Sequence, residues 1–266
     1  AGLLAYFPFN GNANDASGNN NNGTVYGCSS VPDRFENPNS AYSFNGINNY
    51  IVVPYNSNLY SPELSVSTWI QFNVLDGTRE QILTVNNNGW AGYAFDIEST
   101  TNALEWEDYT GSWYNGVINY PLSNFTQNTW YHFVIVRSLN SLKLYVNGSL
   151  VSSQNNLTPY NLPASSILVI GSHSIDFLLA PFNGKIDDIR FYNRVLSQNE
   201  IFTLNNEVLP VQLTSFLSLI DKNNIELKWA TSSEQNNSGF DIERKLTSEN
   251  NWNKVGFVQG SGNSNE

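Results

Sequence analysis

Hydrophobic and polar positions along this chain fall into short runs of strand period. Leu142-Lys143-Leu144-Tyr145-Val146 and Leu150-Val151 alternate about Asn147-Gly148, the pattern of a hairpin with one buried face. Tyr42-Ser43-Phe44 and Tyr50-Ile51-Val52-Val53 flank Asn45-Gly46 in the same way. Trp130-Tyr131-His132-Phe133-Val134-Ile135-Val136 is apolar on both faces, as a central strand is, and Ile167 to Gly171 and Ile186 to Phe191 extend the set. Seven Asn-Gly dipeptides punctuate the first two hundred residues, at Asn10, Asn22, Asn45, Asn88, Asn115, Asn147 and Asn183. Asn and Gly both tolerate the positive φ that tight hairpin turns require. Many short strands with regular turn signals predict an antiparallel β-sandwich.

One helix is predicted. Ser197-Gln198-Asn199-Glu200 is a capping box, Ile201 and Leu204 give an apolar stripe, and Asn205-Asn206 end it. A second pattern opens at Val208-Leu209-Pro210-Val211. Four alternating segments follow, at residues 211–216, 225–229, 240–244 and 252–258, and Trp229 reads as buried. The predicted domains are therefore residues 1–207 and 208–266, both all-β.

Composition narrows the function classes. Of the 266 residues 40% are hydrophobic, enough for a large core, while charged residues make up only 13% and aromatics 14%. Asn, Ser, Thr and Gln must carry the polar surface, which suits an extracellular sugar binder. The net charge is −11, with twelve Lys and Arg in no basic run, so nucleic acid and anionic membranes are poor partners on electrostatic grounds. A lone cysteine, Cys28, forms no intrachain disulfide and reads as a small packed residue. The chain opens at Ala1, almost directly on a strand, as a mature or trimmed product would, and no apolar run is long enough to span a membrane.

Two distant segments read as one signature: Leu4-Ala5-Tyr6-Phe7-Pro8-Phe9-Asn10-Gly11-Asn12-Ala13-Asn14-Asp15-Ala16-Ser17-Gly18, and Phe182-Asn183-Gly184-Lys185-Ile186-Asp187-Asp188-Ile189-Arg190-Phe191-Tyr192-Asn193-Arg194-Val195-Leu196-Ser197. Between them lie Ala41 to Gly46 with Tyr50 to Pro54, Leu64 to Ile70, Asn128 to Val134, and Leu144 to Gly148. Over roughly residues 3–204 these blocks resemble the laminin-G-like, concanavalin-type sandwich (jelly-roll) family. The resemblance implies a secreted or cell-surface adhesion or carbohydrate-binding module with a structural calcium ion, and no enzyme. Residues 208–266, with Leu209-Pro210-Val211 and Lys228-Trp229-Ala230-Thr231-Ser232-Ser233-Glu234, resemble an incomplete fibronectin type III-like module of bacterial surface proteins exported by type IX secretion. Such a module needs about seven strands, and only four are legible. The resemblance implies a glycan or surface protein as partner, together with secretion or cell-surface machinery.

Calcium requires six to eight oxygens, best supplied from irregular loops. Asp15 lies in a Gly/Asn/Ser loop and Asp187 follows the Gly184 turn; if the first and last strands pair, the two loops meet. The resemblance places the ion on Asp15 and Asp187, with further oxygens near Asn10, Asn12 and Asn183. The alternative is an Asx-turn at Asp15, with Asp187 bonding neighbouring backbone or Arg190. Asp188, on the opposite face of an extended strand, is the weaker ligand. For sugar, Trp90, Tyr109, Trp113 and Tyr114 read as loop aromatics whose flat faces pack on pyranose rings, with Glu105, Glu107 and Asp108 nearby; simple anchoring of the loops is the alternative. Phe95 and Trp106 read as core.

Hydrolysis is the competing chemistry. Ala94-Phe95-Asp96-Ile97-Glu98 resembles an acidic strand motif of glucanases of this architecture, with alanine in place of the first acid; Glu105-Trp106-Glu107 alternates correctly without the central Asp. His132 reads as a packed strand residue, and no Cys/His cluster points to zinc. The expectation is a glycan-binding adhesion module. A structural or protein-interaction module of a larger surface assembly is the runner-up, and a polysaccharide hydrolase or lyase stands third.

Overall fold

The computed structural model describes residues 2–54, 61–86, 92–110, 113–157, 166–173, 180–206, 211–222, 224–247 and 252–265, with backbone alone at residues 86, 109–110, 113–115, 211–213, 221, 224, 232–238 and 261–265. It divides into two units, Ala1–Asn205 and Asn206–Glu266.

Two antiparallel sheets build the first unit. Its strands are β1 (Leu3–Phe7), β2 (Thr24–Tyr26), β3 (Ser29–Val31), β4 (Ala41–Asn45), β5 (Tyr50–Val53), β6 (Leu64–Phe72), β7 (Glu80–Asn86), β8 (Gly92–Glu98), β9 (Ala103–Thr110), β10 (Trp113–Pro121), β11 (Trp130–Arg137), β12 (Ser141–Val146), β13 (Ser149–Asn155), β14 (Ile167–Ile170) and β15 (Asn183–Tyr192). The eight-stranded sheet runs β13-β12-β11-β6-β15-β4-β3, with β1 also on β15; the seven-stranded sheet runs β10-β9-β8-β7-β14-β5-β2. The first strand pairs with the last, Tyr6 opposite Arg190 and Phe7 opposite Ile189, as the bracketing segments predict.

The core lies between the sheets because alternate residues of both point inward. Phe72 is its centre, with ring centroids 5.5 Å from Phe125, 6.1 Å from Phe133 and 6.2 Å from Phe182. Phe95 and Trp106 are fully buried there, as expected. Each such side chain contributes about 1.5–3 kcal/mol by leaving water. Helix α1 (Gln198–Asn205) covers part of the outer face of the larger sheet, burying Ile201 and Leu204 against Val134, Val136 and Tyr145. Its capping box forms as read: the Ser197 N–H donates to Glu200 Oε2 at 2.8 Å, and the Glu200 N–H donates to Ser197 Oγ.

Not every Asn-Gly is a turn. Asn147-Gly148 is one, with φ of 47° and 78° joining β12 to β13. Asn183-Gly184 instead opens β15, where a Cβ on Gly184 would meet the Gln71 carbonyl oxygen at 2.3 Å, so close strand approach selects that glycine. Asn115-Gly116 sits at a bulge within β10.

The second unit is a three-stranded sheet, β16 (Val211–Asp221), β17 (Asn224–Arg244) and β18 (Asn253–Asn265), in that order. The predicted second and third segments are one 21-residue strand, because no turn breaks the stretch 230–239. Trp229 is half-buried rather than buried, tilted against Phe240 at 5.5 Å.

Candidate functional site

Charged side chains gather on the outer faces of both sheets. On the seven-stranded sheet, register aligns Gln81 with Asp96 and Asp96 with Glu105; beside them Thr84 stands opposite Ala94 and Ala94 opposite Glu107. Directly opposed residues share a face, and this face points away from the Phe95–Trp106 core. Arg79 reaches Asp96 at 3.2 Å, Glu98 at 3.4 Å and Glu107 at 4.0 Å. Gln81 Nε2 also donates to Asp96 Oδ2, Thr101 Oγ1 donates to Glu105, and Asp96 Oδ1 has no partner. Burial, reinforced by Glu107, pushes the Asp96 carboxyl up to about 7 against the pull of Arg79. Near neutral pH it can therefore both donate and accept a hydrogen bond.

The acid absent at Ala94 in the strand motif is present across the ladder as Glu107. The arrangement does not suit hydrolysis. Asp96 is 0% exposed and its Oδ2 is tied to both Arg79 and Gln81, so it is not free to flank a glycosidic bond.

Three of the four sugar-binding candidates lie at one end of this sheet. Tyr109 stands opposite both Gly92 and Tyr114, and Trp113 opposite Thr110. Their backbone is strand rather than loop, because β9 and β10 continue almost to residues 111–112. Trp90 lies outside the described residues. Asp108 leaves this group: it is buried in the core, paired with Arg137 and accepting from Trp106 Nε1 at 2.8 Å.

On the eight-stranded sheet, His132, Trp69 and Asp187 form one row. Arg34, from the loop after β3, lies over it. Its Nη1 donates to Asp187 Oδ2 at 2.9 Å and to Asp188 Oδ2 at 2.8 Å. The guanidinium lies 4.4 Å from both the Phe35 and Trp69 ring centroids. Asp188 is not on the opposite face. Its φ of 52° makes a bulge between Asp187 and Arg190 that turns both carboxylates to Arg34. Asp187 thus bonds Arg34, not Arg190. Burial and then Asp188 push the Asp187 carboxyl up to about 8, while burial, Arg34 and Arg190 press His132 down to about 3, so that imidazole is neutral. His132 Nε2 lies 2.8 Å from Ser67 Oγ, the packed strand role expected of it.

The residues named for calcium have these partners in the structure. Asp15 Oδ1 accepts from the N–H groups of Tyr6 (2.9 Å) and Ser17 (2.8 Å), and Oδ2 from that of Asn21 (2.9 Å). Burial works against that carboxylate, yet these bonds hold its pKa below the usual range. This is the Asx-turn alternative. Asn10 and Asn12 are exposed and bond to each other, Asn12 Nδ2 to the Asn10 carbonyl oxygen at 3.3 Å. Among the described residues no three His, Cys, Asp or Glu side chains are disposed to hold a metal ion. Arg34 is the functional residue that sequence reasoning missed; its only signal is a lone arginine after Asp33 in a Pro/Asn loop.

A profile of the concanavalin A-like lectin/glucanases superfamily matches residues 45–202, more than half of the chain. The chain belongs to that superfamily. Comparison with curated proteins gives no match. Among solved superfamily-like structures, domain 4 of AbnA, a GH43 extracellular arabinanase from Geobacillus stearothermophilus in complex with arabinotriose, is 20% identical over 77% of this chain and 99% of that one, with a TM-score of 0.62. A botulinum neurotoxin type C structure, whose cell entry depends on interaction with two ganglioside molecules, is 16% identical over 86% of this chain and 62% of that one, at 0.64. The binding domain of botulinum neurotoxin DC in complex with rat synaptotagmin II is 18% identical over 98% of this chain and 70% of that one, at 0.63. At such identities the likeness establishes the shared fold. No helix among the described residues is long and apolar enough to cross a membrane.

Proposed function

We propose that the first unit is a non-catalytic glycan-binding module of a secreted or surface-attached adhesion protein, with its sugar site at the end of β8, β9 and β10. The observation that carries this is the register that sets Tyr109 opposite Tyr114 in the same row as Glu105 and Glu107, with Trp113 next in β10 on the other face. Aromatic faces supply apolar contact for pyranose C–H groups. The arabinotriose and ganglioside partners of the structural neighbours support a glycan as the ligand class. The resemblance of residues 208–266 to modules of type IX-exported proteins supports the surface setting. Glycan-array screening of the whole chain followed by titration calorimetry tests the reading: Tyr109→Ala and Tyr114→Ala each lower affinity about tenfold or more with unchanged thermal unfolding. Unaltered affinity in both variants removes the site.

One observation favours a protein contact elsewhere. The second unit exposes Phe216, Leu219, Ile220, Ile225, Trp252 and Phe257 by 49–82%, more apolar surface than a solvated sheet needs. In this reading it joins the module to its larger assembly.

A further inference from the structure

We infer that Arg34 is a built-in counter-ion, holding the acidic turn of β15 as a divalent cation would, so that the sandwich keeps its fold without calcium. Two adjacent carboxylates on one buried bulge repel each other and need a positive partner. Arg34 supplies it from a single Nη1, bonded at 2.9 Å to Asp187 and 2.8 Å to Asp188. Its side chain is only 7% exposed and is clasped between the Phe35 and Trp69 rings, so it is a fixed component of the fold rather than a mobile surface arginine.

The cluster already holds cations of its own. Arg190 Nη2 lies 3.6 Å from Asp188 Oδ1, which also accepts from the Tyr6 hydroxyl at 2.7 Å. Two guanidinium groups therefore face two carboxylates. The third nearby carboxylate, Asp33, is occupied by the N–H groups of Phe35 (2.8 Å) and Asn37 (2.9 Å) and by the Asn37 side-chain amide (2.8 Å). A divalent ion would have to enter beside two guanidinium groups, which repel it. One oxygen, Asp187 Oδ1, has no partner. The other unpartnered buried atoms around it are Arg34 Nε, Trp69 Nε1 and His132 Nδ1. The first two are N–H donors, which repel a cation instead of ligating it.

The Arg34 loop thereby ties β3 to β15, two strands that do not pair with each other, and fixes the bulge against β1 through Tyr6. This role is independent of what the sugar site binds.

The test is thermal unfolding of the whole chain after dialysis against EDTA, with and without millimolar calcium chloride, alongside calcium titration calorimetry. Wild type is expected to melt within about 1 °C in both buffers and to give no binding heat. Arg34→Ala is expected to melt about 10 °C lower, as removal of one partner from a buried ion cluster does. Arg34→Met combined with Asp187→Asn and Asp188→Asn, which removes charge on both sides, is expected to regain most of that loss. A wild-type transition that falls in EDTA and is restored by calcium overturns the inference, whether or not Arg34→Ala folds. An Arg34→Ala protein as stable as wild type overturns it as well, and a triple variant no better than Arg34→Ala assigns Arg34 to packing alone and overturns its role as counter-ion.

Discussion

The two outer faces of the sandwich each set one arginine against several carboxylates, with opposite results. Arg34 is 7% exposed, ring-stacked, and matched with Arg190 to an equal number of carboxylates. Arg79 is 42% exposed and is shared among Asp96, Glu98 and Glu107, with Glu105 alongside. The first face is closed by packing around Arg34, while the second leaves its arginine open to solvent; burial raises one carboxyl on each, Asp187 to about 8 and Asp96 to about 7. Buried charge tolerates low-dielectric surroundings when it is balanced and packed. The contrast assigns Arg34 to the fold.

The widest separation between the faces comes from truncating each arginine. Arg34→Ala removes the partner shared by Asp187 and Asp188, leaving Asp188 with Arg190 alone, and opens a gap between Phe35 and Trp69, for a loss of about 3–5 kcal/mol. Arg79→Ala removes a partly exposed and solvent-screened group, and Asp96 answers by holding its proton, so the loss is about 1 kcal/mol or less. Urea unfolding of both variants measures the contrast, and equal losses break it.

Protonation gives a test of the Asp96 face next. The folded-state pKa of Asp96 is raised from 3.8 to about 7, so its protonated form is the one the fold prefers. The stabilisation is fully present below about pH 4 and disappears as pH rises through 7. Wild-type stability is therefore expected to decline across that window relative to Asp96→Asn, by on the order of 2–4 kcal/mol. Glu80, pushed to about 7 chiefly by burial, adds a slope of the same sign in both proteins and cancels in the difference. Parallel stability curves for the two proteins, followed by urea unfolding from pH 4 to 8, would show that Asp96 titrates normally.

Much of this was legible in the sequence. Alternation in Leu142–Val146, the capping box at Ser197 and the two brackets carry strand, helix and closure because each is local or repeats the pairing rule of a sandwich. The long β17 was not legible: Asn236, Asn237, Ser238 and Gly239 carry turn composition, yet the ladder to β18 runs past them with register shifts. Nor was the charge pairing. Asp187 meets Arg34 from 153 residues away, and no local signal specifies a partner at that distance. The bulge at Asp188 defeated the alternation rule for a backbone reason, since one residue in the left-handed region turns the next side chain to the same face.

That bulge gives the smallest and sharpest test of the closed face. Asp188 adopts φ 52°, a conformation that costs most L-residues about 1–2 kcal/mol, with Asn and Asp among the best tolerated and Gly free of the cost. Asp188→Asn keeps a side chain suited to that backbone and removes only the charge facing Arg34 and Arg190. Asp188→Gly removes the charge and the Tyr6 hydrogen bond while easing the backbone, and Asp188→Ala loses the bonds and keeps the strain. If charge balance dominates, all three lose a similar amount, about 1 kcal/mol, with Arg190 left to face Asp187's partner alone. If backbone geometry dominates, Asp188→Ala is the worst by about 1 kcal/mol and Asp188→Gly the mildest. The order of the three melting temperatures therefore decides whether the closed face is held by its charges or by the bulge that gathers them.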